Sequence, residues 1–359
     1  MRVAFDIQQL YYWPQFLPVY KELLNRGAEC HLVFYREHIQ ADVLAHVRST
    51  ENLKHCSSAL SESDVAGFYD EYAPDWLVCG NTYMRAEELP TRTRTALLYH
   101  GIGVKQSYYH SQLVNFDVRF VEGEFRENEL RRQHPSAVLH TVGFAKLDPL
   151  FNPNEPVAKP DDFGLANGKP TLLYAPTFYP SSIERIADDW PRQMSDWNFL
   201  IKPHFFSLTK SAYKKQRRKL LSWSEFDNVH LADTQHYSLL PYMQCADILV
   251  SEASSALFEF AALDKPVVWC DFLQLRWNYR GVFSYRMKKR MDPTITPYED
   301  IAVHAAKPKD LVSIIRSEHA NPSRLKARRA ECTLELLGQT DGRASVRAVD
   351  YLYANAISS

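Results

Sequence analysis

The chain has 359 residues, of which 45% are hydrophobic and 24% charged, and its formal net charge is −1. This length fits two domains better than one, and the near-neutral charge argues against a dedicated nucleic-acid-binding protein. The six cysteines form no Cys-x-x-Cys pair, which favours reduced core residues. With no signal-peptide pattern at the N-terminus and no apolar run of 18 residues, we expect a cytoplasmic protein.

The first 145 residues alternate between apolar, strand-like runs and segments with helical spacing. Helical spacing over Leu17–Arg26 ends at Gly27, a typical C-terminal stop. The secondary structure of Leu53–Leu60 is ambiguous from its sequence. This alternation is typical of a parallel α/β sheet. About six strands are predicted here, at residues 3–7, 29–35, 74–79, 95–99, 118–121 and 138–142, with a helix at 65–72.

A proline-rich stretch, Phe151–Gly168, is the predicted linker to a second α/β region. Beyond it, strands are predicted at residues 170–175, 197–203, 229–231, 248–250 and 267–269, and the tail from Leu311 to Asn355 is mostly helical. The chain therefore predicts two Rossmann-like domains, residues 1–150 on the acceptor side and 151–340 on the nucleotide-donor side. We expect these domains to face each other across a cleft, and we expect residues 341–359 to hold a helix that packs back on the first domain.

The stretch Tyr242–Cys270 predicts one strand–helix–strand unit with a hydroxyl-rich helix start. An apolar run from Cys245 to Ser251 suits a buried strand, and Ser254 and Ser255 suit the turn and helix N-cap that follow it. The amides and hydroxyls at such a helix start bind anions. We therefore expect a phosphate of a nucleotide-linked donor at this position.

A histidine-glycine motif follows the strand predicted at residues 95–99. Gly101 and Gly103 permit close backbone approach to a ligand, and Lys105 ends the motif. His100 can take a proton from an acceptor hydroxyl near neutral pH. The alternative interpretation is a structural histidine beside a turn.

Three further strand-end motifs have both a functional and a structural interpretation. Lys146 and Asp148 either line the cleft or order the hinge, or else form a turn with a capping Asp. Thr177 follows a buried strand and presents a hydroxyl to a ligand. Lys202 and His204 form a cationic pair that can stabilise phosphate charge, or else a surface lysine beside a core histidine.

Taken in order, these motifs resemble those of the CDP-glycerol glycerophosphotransferase family, the teichoic-acid primases and polymerases with a GT-B-type fold. The resemblance extends over roughly residues 95 to 350. It rests on HGIGVK at 100–105, GFAKLD at 143–148, YAPTF at 174–178, KPHF at 202–205, EASSALFE at 252–259 and DGRASVR at 341–347.

The resemblance implies a transferase that moves a glycerol-phosphate-type (polyol phosphate) group from a CDP-linked donor to a hydroxyl of a cell-surface glycan or lipid-linked acceptor. CMP is released. It further implies that His100 is the general base and that His204 is a second catalytic residue. By the same resemblance, Lys202, Ser254, Ser255 and Thr177 hold donor phosphates, Glu252 and Glu259 bind polyol or ribose hydroxyls, and Gly101, Gly103, Lys105, Lys146 and Asp148 are other cleft residues.

Several positions depart from the family's pattern. Lys202 replaces an arginine and so loses the planar bidentate fork, while Glu252 and Glu259 replace aspartates. The family's Thr-Pro becomes Ile102-Gly103. These departures leave the phosphate-handling residues in place, but they do not determine which alcohol the donor carries. A nucleotide-sugar-dependent GT-B glycosyltransferase and a non-catalytic nucleotide- or glycan-binding module are therefore the alternative interpretations.

Two basic clusters, at residues 214–219 and 286–291, are either solvated helix faces or contacts with anionic lipid heads or an anionic polymer acceptor. The second interpretation implies a peripheral position on the inner face of the cell membrane. Since the sequence has no Asp-x-Asp pair and no His/Cys ligand cluster, we expect no metal and no cofactor. The expected partners are a CDP-linked donor and a glycan or lipid-linked acceptor, with no nucleic acid.

Overall fold

The computed structural model describes residues 1–53, 56–83, 88–102, 106–275 and 293–356. They form two compact units, each built on its own parallel sheet. Unit 1 contains Met1–Ile102, Tyr108–Asn154 and the chain from Leu334 onward, and unit 2 contains Glu155–Thr333. The predicted α/β class with two parallel sheets is confirmed.

Unit 1 has a seven-stranded parallel sheet in its described residues. Its strands are β1 (Arg2–Ile7), β2 (Glu29–Tyr35), β3 (Ser57–Leu60), β4 (Trp76–Cys79), β5 (Arg94–Leu98), β6 (Val118–Val121) and β7 (Leu139–Thr141). The order across the sheet is β3-β2-β1-β4-β5-β6-β7. The ambiguous stretch Leu53–Leu60 thus supplies a strand beyond the six predicted. The order in which successive strands are added changes direction between β1 and β4, which makes this the topological switch point of the sheet. Ligands of such sheets bind at the switch point, beyond the carboxyl ends of the strands.

Helices cover the sheet of unit 1 because this packing buries the apolar faces of the helices against the apolar residues of the strands. The first helix begins earlier than predicted, at Trp13, and Pro14 lies in its first turn, where a backbone N–H has no intrahelical partner to lose. It ends as predicted before Gly27, whose φ of +77° suits glycine. The helices are α1 (Trp13–Asn25), α2 (Ala41–Thr50), α3 (Val65–Tyr72), α4 (Glu124–Gln133) and α5 (Asp148–Phe151).

Unit 2 has a six-stranded parallel sheet in the residues described. Its strands are β8 (Thr171–Tyr174), β9 (Asn198–Ile201), β10 (Val229–Leu231), β11 (Ile248–Ser251), β12 (Val267–Cys270) and β13 (Val303–Ala305). The order is β10-β9-β8-β11-β12-β13, so the switch point lies between β8 and β11. The strand β13 was not predicted. The core between this sheet and its helices includes Tyr174, Trp190 and Trp223.

The remaining helices follow in chain order. They are α6 (Trp190–Gln193), α7 (Phe205–Thr209), α8 (Lys214–Trp223), α9 (Leu240–Cys245), α10 (Ser255–Ala261), α11 (Leu311–Ala320), α12 (Lys326–Leu337) and α13 (Ala344–Ala354). Cys245 ends a helix instead of beginning a strand, which corrects the predicted start of β11. None of these described helices has the length and hydrophobicity that a membrane span requires.

Candidate functional site

Two loops meet at the switch point of unit 2, and a buried carboxylate joins them. Glu252 directly follows β11 and is 1% exposed. One carboxylate oxygen accepts the backbone N–H of Thr177 at 2.7 Å, in the loop after β8. The other accepts the N–H and the hydroxyl of Ser182 at 2.7 and 2.5 Å. The side chain of Glu252 therefore fixes the ends of β8 and β11 together.

This geometry gives Glu252 a structural role in addition to the predicted one. Because both of its oxygens accept hydrogen bonds within unit 2, the side chain of Glu252 positions the loops after β8 and β11. Its predicted contact with polyol or ribose hydroxyls stays a prediction. Burial raises the pKa of the carboxyl group to about 7, although the hydrogen bonds from Ser182 and Thr177 oppose that shift.

Thr177 is also hydrogen-bonded within its own loop, and its predicted contact with a donor phosphate stays a prediction. Its hydroxyl donates its proton to the carbonyl of Pro180, so that proton is not available to a phosphate oxygen. The tight loop that this bond closes leads to Phe178, whose ring packs against His204 with centroids 4.5 Å apart. Thr177 therefore shapes the wall beside His204.

The predicted hydroxyl-rich helix start is present after Glu252. Ser254 has extended backbone angles and precedes α10, as an N-cap does, and both Ser254 and Ser255 are half-buried. The hydroxyl of Ser254 lies 3.2 Å from that of Ser251 and does not cap the helix. The first amides of a helix lack intrahelical partners, which suits an anion. Glu259 lies farther along α10 and is fully buried, which places it in the helix-sheet core.

Lys202 and His204 follow β9, which lies beside β8, and both are half-buried. His204 is the N-cap of α7, and its Nδ1 accepts the backbone N–H of Phe206 at 3.1 Å. Since an amide can only donate, Nδ1 holds a lone pair, and the hydrogen of the neutral ring is on Nε2. His204 thus presents a hydrogen-bond donor.

His100 follows β5 in unit 1 and has the opposite arrangement. Its Nδ1 lies 2.8 Å from the carbonyl oxygen of Gly80, which follows β4. A carbonyl oxygen only accepts, so Nδ1 carries the hydrogen, and Nε2 of the neutral ring has the lone pair. His100 thus presents a proton acceptor, as a general base requires.

The ring of His100 is held between aromatic side chains, a set that the sequence did not reveal. Tyr12 stacks on it with centroids 4.5 Å apart and planes 22° apart, and it is 2% exposed. Tyr11 and Tyr99 contact it at 5.1 and 4.5 Å. A Cβ added to Gly80 would lie 2.7 Å from the ring of Tyr12. Gly80 therefore lacks a side chain because the ring of Tyr12 fills that space.

Asp148 has the capping role that was the alternative interpretation of its motif. Its carboxylate accepts the backbone N–H groups of Ala344 and Ser345 at 3.1 and 2.7 Å and the hydroxyl of Ser345 at 2.6 Å. Burial raises its pKa against these bonds. The motifs at 143–148 and 341–347 thus form one structural joint in unit 1, in which Arg347 also bonds the carbonyl of Val142.

The remaining predicted residues take no part in the joint around Asp148, and two of them lie outside the residues that the structure describes. The backbone of Lys146 donates to the side chain of Gln15, and its own side chain is half-buried. Gly101 lies beside His100 and is half-buried. Gly103 and Lys105 lie outside the described residues. The structure adds Tyr12, Gly80 and Ser182 to the predicted site residues. Of these, only Gly80 could have been found from the sequence, because a glycine directly after a strand indicates a close backbone approach.

Comparison of the chain with solved structures identifies the class of its fold. The wall teichoic acid polymerase TagF matches with a TM-score of 0.69 at 13% identity, covering 99% of this chain and 88% of that chain. The UDP-GlcNAc 2-epimerase from Neisseria meningitidis bound to UDP-GlcNAc matches with a TM-score of 0.64 at 15% identity, covering 99% and 100%. At these identities the likeness shows the fold alone, and it confirms the predicted GT-B type.

The sequence then gives the family. Residues 103–354 match the family described as CDP-glycerol:poly(glycerophosphate) glycerophosphotransferase, and the chain belongs to it. It is also 27% identical over 142 residues to the teichoic acid glycerol-phosphate primase of Bacillus subtilis (strain 168). That match covers 39% of this chain and 35% of the primase, so it spans about a third of that protein's length. The predicted resemblance is confirmed.

Proposed function

We propose that this protein transfers glycerol phosphate from CDP-glycerol to a hydroxyl of a glycan or lipid-linked acceptor in cell-envelope polymer synthesis, releasing CMP. Membership of the family supports the reaction class. A TagF variant structure obtained from a soak with CDPG shows that a protein of this fold has been studied with such a donor.

The observation that carries the proposal is the opposite hydrogen bonding of the two histidines. His100 donates through Nδ1 to Gly80, so the lone pair of its neutral ring is on Nε2, whereas His204 accepts at Nδ1, so the hydrogen of its neutral ring is on Nε2. Transfer of a phosphoryl group to a hydroxyl needs both functions, one to take the proton and one to stabilise charge.

In the proposed reaction, the acceptor hydroxyl gives its proton to Nε2 of His100. Its oxygen forms a bond to the β-phosphorus, and the bond from that phosphorus to the bridging oxygen breaks, so that oxygen leaves with CMP. Lys202 and Nε2–H of His204 offset the charge that develops on the phosphates, and the helix start at Ser254 and Ser255 holds phosphate oxygens. Glu252 acts by holding together the loops after β8 and β11 in unit 2.

Donor choice is tested by the thermal stability of the protein with CDP-glycerol, CDP-ribitol, CDP and UDP-sugars. A bound ligand raises the melting temperature by mass action, so CDP-glycerol is expected to give the largest shift. Stabilisation by UDP-sugars alone would reject the proposal and favour a nucleotide-sugar glycosyltransferase. Stabilisation by no nucleotide would favour the non-catalytic alternative.

The catalytic assignment is tested with His100→Ala in a radiolabelled transfer assay, with donor binding as the control. Loss of a general base lowers the rate by about 10²- to 10⁴-fold. The CDP-glycerol thermal shift should stay unchanged, because the predicted donor residues lie in unit 2. A wild-type rate in His100→Ala would remove His100 from the mechanism. EDTA should leave the transfer rate unchanged, since the sequence predicts no metal requirement.

Peripheral contact with the inner face of the cell membrane is part of the proposal. On α8, Lys214, Lys215 and Arg218 are exposed, while Leu220 and Trp223 are buried in unit 2. Such a basic face attracts anionic headgroups. The protein should sediment with phosphatidylcholine vesicles that contain phosphatidylglycerol, and not with pure phosphatidylcholine. Equal sedimentation after charge reversal at the three exposed positions would reject the contact. The second cluster, residues 286–291, lies outside the described residues.

A further inference from the structure

A buried carboxylate lies near the end of β1, at the switch point of the sheet in unit 1. Asp6 is fully buried and lies in register with Cys79, the last residue of β4. The hydroxyls of Tyr35 and Tyr69 and the amide of Gln8 donate to it, and all three groups are uncharged. Burial raises the pKa of the carboxyl group, and these hydrogen bonds oppose that shift. Burying a carboxylate among uncharged donors costs stability, and such carboxylates cluster at functional sites.

The two oxygens of Asp6 have different tasks. Oδ1 accepts the hydroxyls of Tyr35 on β2 and Tyr69 on α3, at 2.8 and 2.9 Å, and so attaches α3 to the sheet. Oδ2 accepts Nε2 of Gln8 at 2.8 Å, and the same nitrogen donates to the carbonyl of Thr82 at 3.0 Å in the loop after β4. Both of these acceptors lack a hydrogen, so the nitrogen of the Gln8 amide must face both of them. We call these two bonds of Nε2 the amide bridge.

The loop after β4 contacts His100 in two ways. The carbonyl of Gly80 accepts the hydrogen on Nδ1 of His100 at 2.8 Å. Asn81, the next residue, donates through Nδ2 to the hydroxyl of Tyr12 at 3.4 Å, and the ring of Tyr12 stacks on His100. Thr82, which the amide bridge holds, follows directly. Three consecutive residues thus connect the amide bridge to both the carbonyl and the aromatic ring that hold His100.

Unit 2 has a buried carboxylate at the corresponding place in its own sheet. Glu252 directly follows β11 at the switch point, and its oxygens bond the loop after β8. That loop contains Phe178, whose ring packs against His204. In the described part of each sheet, a buried carboxylate at the switch point is therefore bonded into a loop that contacts a candidate catalytic histidine. Asp6 has this relation to His100.

We propose that Asp6 and Gln8 are positioning residues for the transfer reaction. They hold the loop after β4 so that the carbonyl of Gly80 keeps the hydrogen of the neutral His100 ring on Nδ1 and its lone pair on Nε2. The inference rests on the proposed function, because it takes His100 as the base. Without the amide bridge the loop is freed, and the ring also populates the tautomer with its hydrogen on Nε2. That tautomer cannot take a proton from an acceptor hydroxyl at Nε2.

Nitrogen-15 NMR of histidine-labelled protein measures this tautomer in the absence of substrate. The signals of His100 are identified by their loss in His100→Ala, and the tautomer is given by the shift difference between its two ring nitrogens at a pH where the ring is neutral. Gln8→Met keeps the length of the side chain but removes both bonds of the amide bridge. Asp6→Asn breaks the same bridge, because its NH2 group faces Gln8 when its oxygen accepts the two hydroxyls. Both variants should lower the fraction of His100 with its hydrogen on Nδ1.

Gln244→Met is the matched control for Gln8→Met. Both glutamines are half-buried, and Oε1 of Gln244 accepts the backbone N–H of Ala158 at 2.9 Å within unit 2. This control loses a contact between a side-chain amide and a distant backbone group, as Gln8→Met does, but not at the loop after β4. It should keep the wild-type tautomer of His100 and the wild-type kcat.

In the transfer assay, Gln8→Met and Asp6→Asn should each lower kcat about tenfold, which corresponds to the loss of one ordinary hydrogen bond. The KM for CDP-glycerol should be unchanged, because the predicted donor residues lie in unit 2. The double variant should be no slower than the slower single variant, since both substitutions break one bridge.

A wild-type tautomer or a wild-type kcat in Gln8→Met would overturn the proposal, and so would an equal change of tautomer in Gln244→Met. Failure of the proposed function is distinguishable from these outcomes. It would abolish the thermal shift with CDP-glycerol in every variant, whereas the tautomer of His100 is measured without any substrate.

Discussion

Gly80→Ala tests how His100 is held, because the substitution adds one methyl group at a position with no room for it. The new Cβ would lie 2.7 and 2.8 Å from two carbons of the Tyr12 ring and 3.1 Å from Phe16. Ordinary carbon contacts are about 3.5–4.0 Å, so the Tyr12 ring must withdraw by about 0.8–1.3 Å. Tyr12 is buried and stacked on His100, so this movement displaces the imidazole ring as well.

The expected consequence is a loss of rate with donor binding retained. A misplacement of about 1 Å at a catalytic group costs about 100-fold, so kcat/KM should fall by about that factor. The shift in melting temperature caused by CDP-glycerol should match that of the wild type. Gly67→Ala is the matched control, because Gly67 lies on α3 and a Cβ there meets no atom within 4 Å. It should keep the full rate and gain about 0.5–1 kcal/mol of stability.

A double-mutant cycle separates the steric effect from general damage. In a Tyr12→Ala background the space beside Gly80 is empty, so adding Gly80→Ala should change the rate by less than the single substitution does. A wild-type rate in Gly80→Ala would refute the argument that Tyr12 and Gly80 position His100. Equal losses from Gly80→Ala in both backgrounds would refute the steric explanation.

Three further predictions concern residues with buried or capping roles. Because the pKa of Glu252 is raised to about 7 in the folded protein, the folded state binds its proton more tightly. The stability of the wild type relative to Glu252→Gln should therefore fall by about 3 kcal/mol between pH 4.5 and 7, measured by urea unfolding of unit 2; a flat difference would contradict the shift. His204→Asn retains a capping acceptor but loses Nε2–H, so it should cut kcat by about 10²-fold at an unchanged melting temperature, whereas His204→Ala should also lose about 1 kcal/mol of stability. Equal melting temperatures for these two variants would argue against the cap. Asp148→Ala should destabilise unit 1 by about 2–4 kcal/mol in denaturant unfolding without changing the CDP-glycerol thermal shift, and an unchanged stability would contradict the joint with Ser345.

The sequence by itself determined the α/β class, most strands, and the positions of His100, Lys202, His204 and Ser254 at strand or helix ends. These features depend on periodicity and on residue types within a few positions, which a sequence displays directly. Family membership likewise followed from short motifs in order. The sequence also offered the capping role of Asp148, although it could not choose between that role and a place in the cleft.

Only the tertiary structure decided what each of these side chains does. The carboxylate of Glu252 bonds an amide 75 positions away, which gives it a role in holding two loops together. The hydrogen on His100 is fixed by a carbonyl 20 positions away, and its ring is held by Tyr12, which follows a different strand. Parallel sheets bring such distant strand ends to one edge, so hydrogen-bond partners and stacking depend on strand order. No local pattern in the sequence encodes that order.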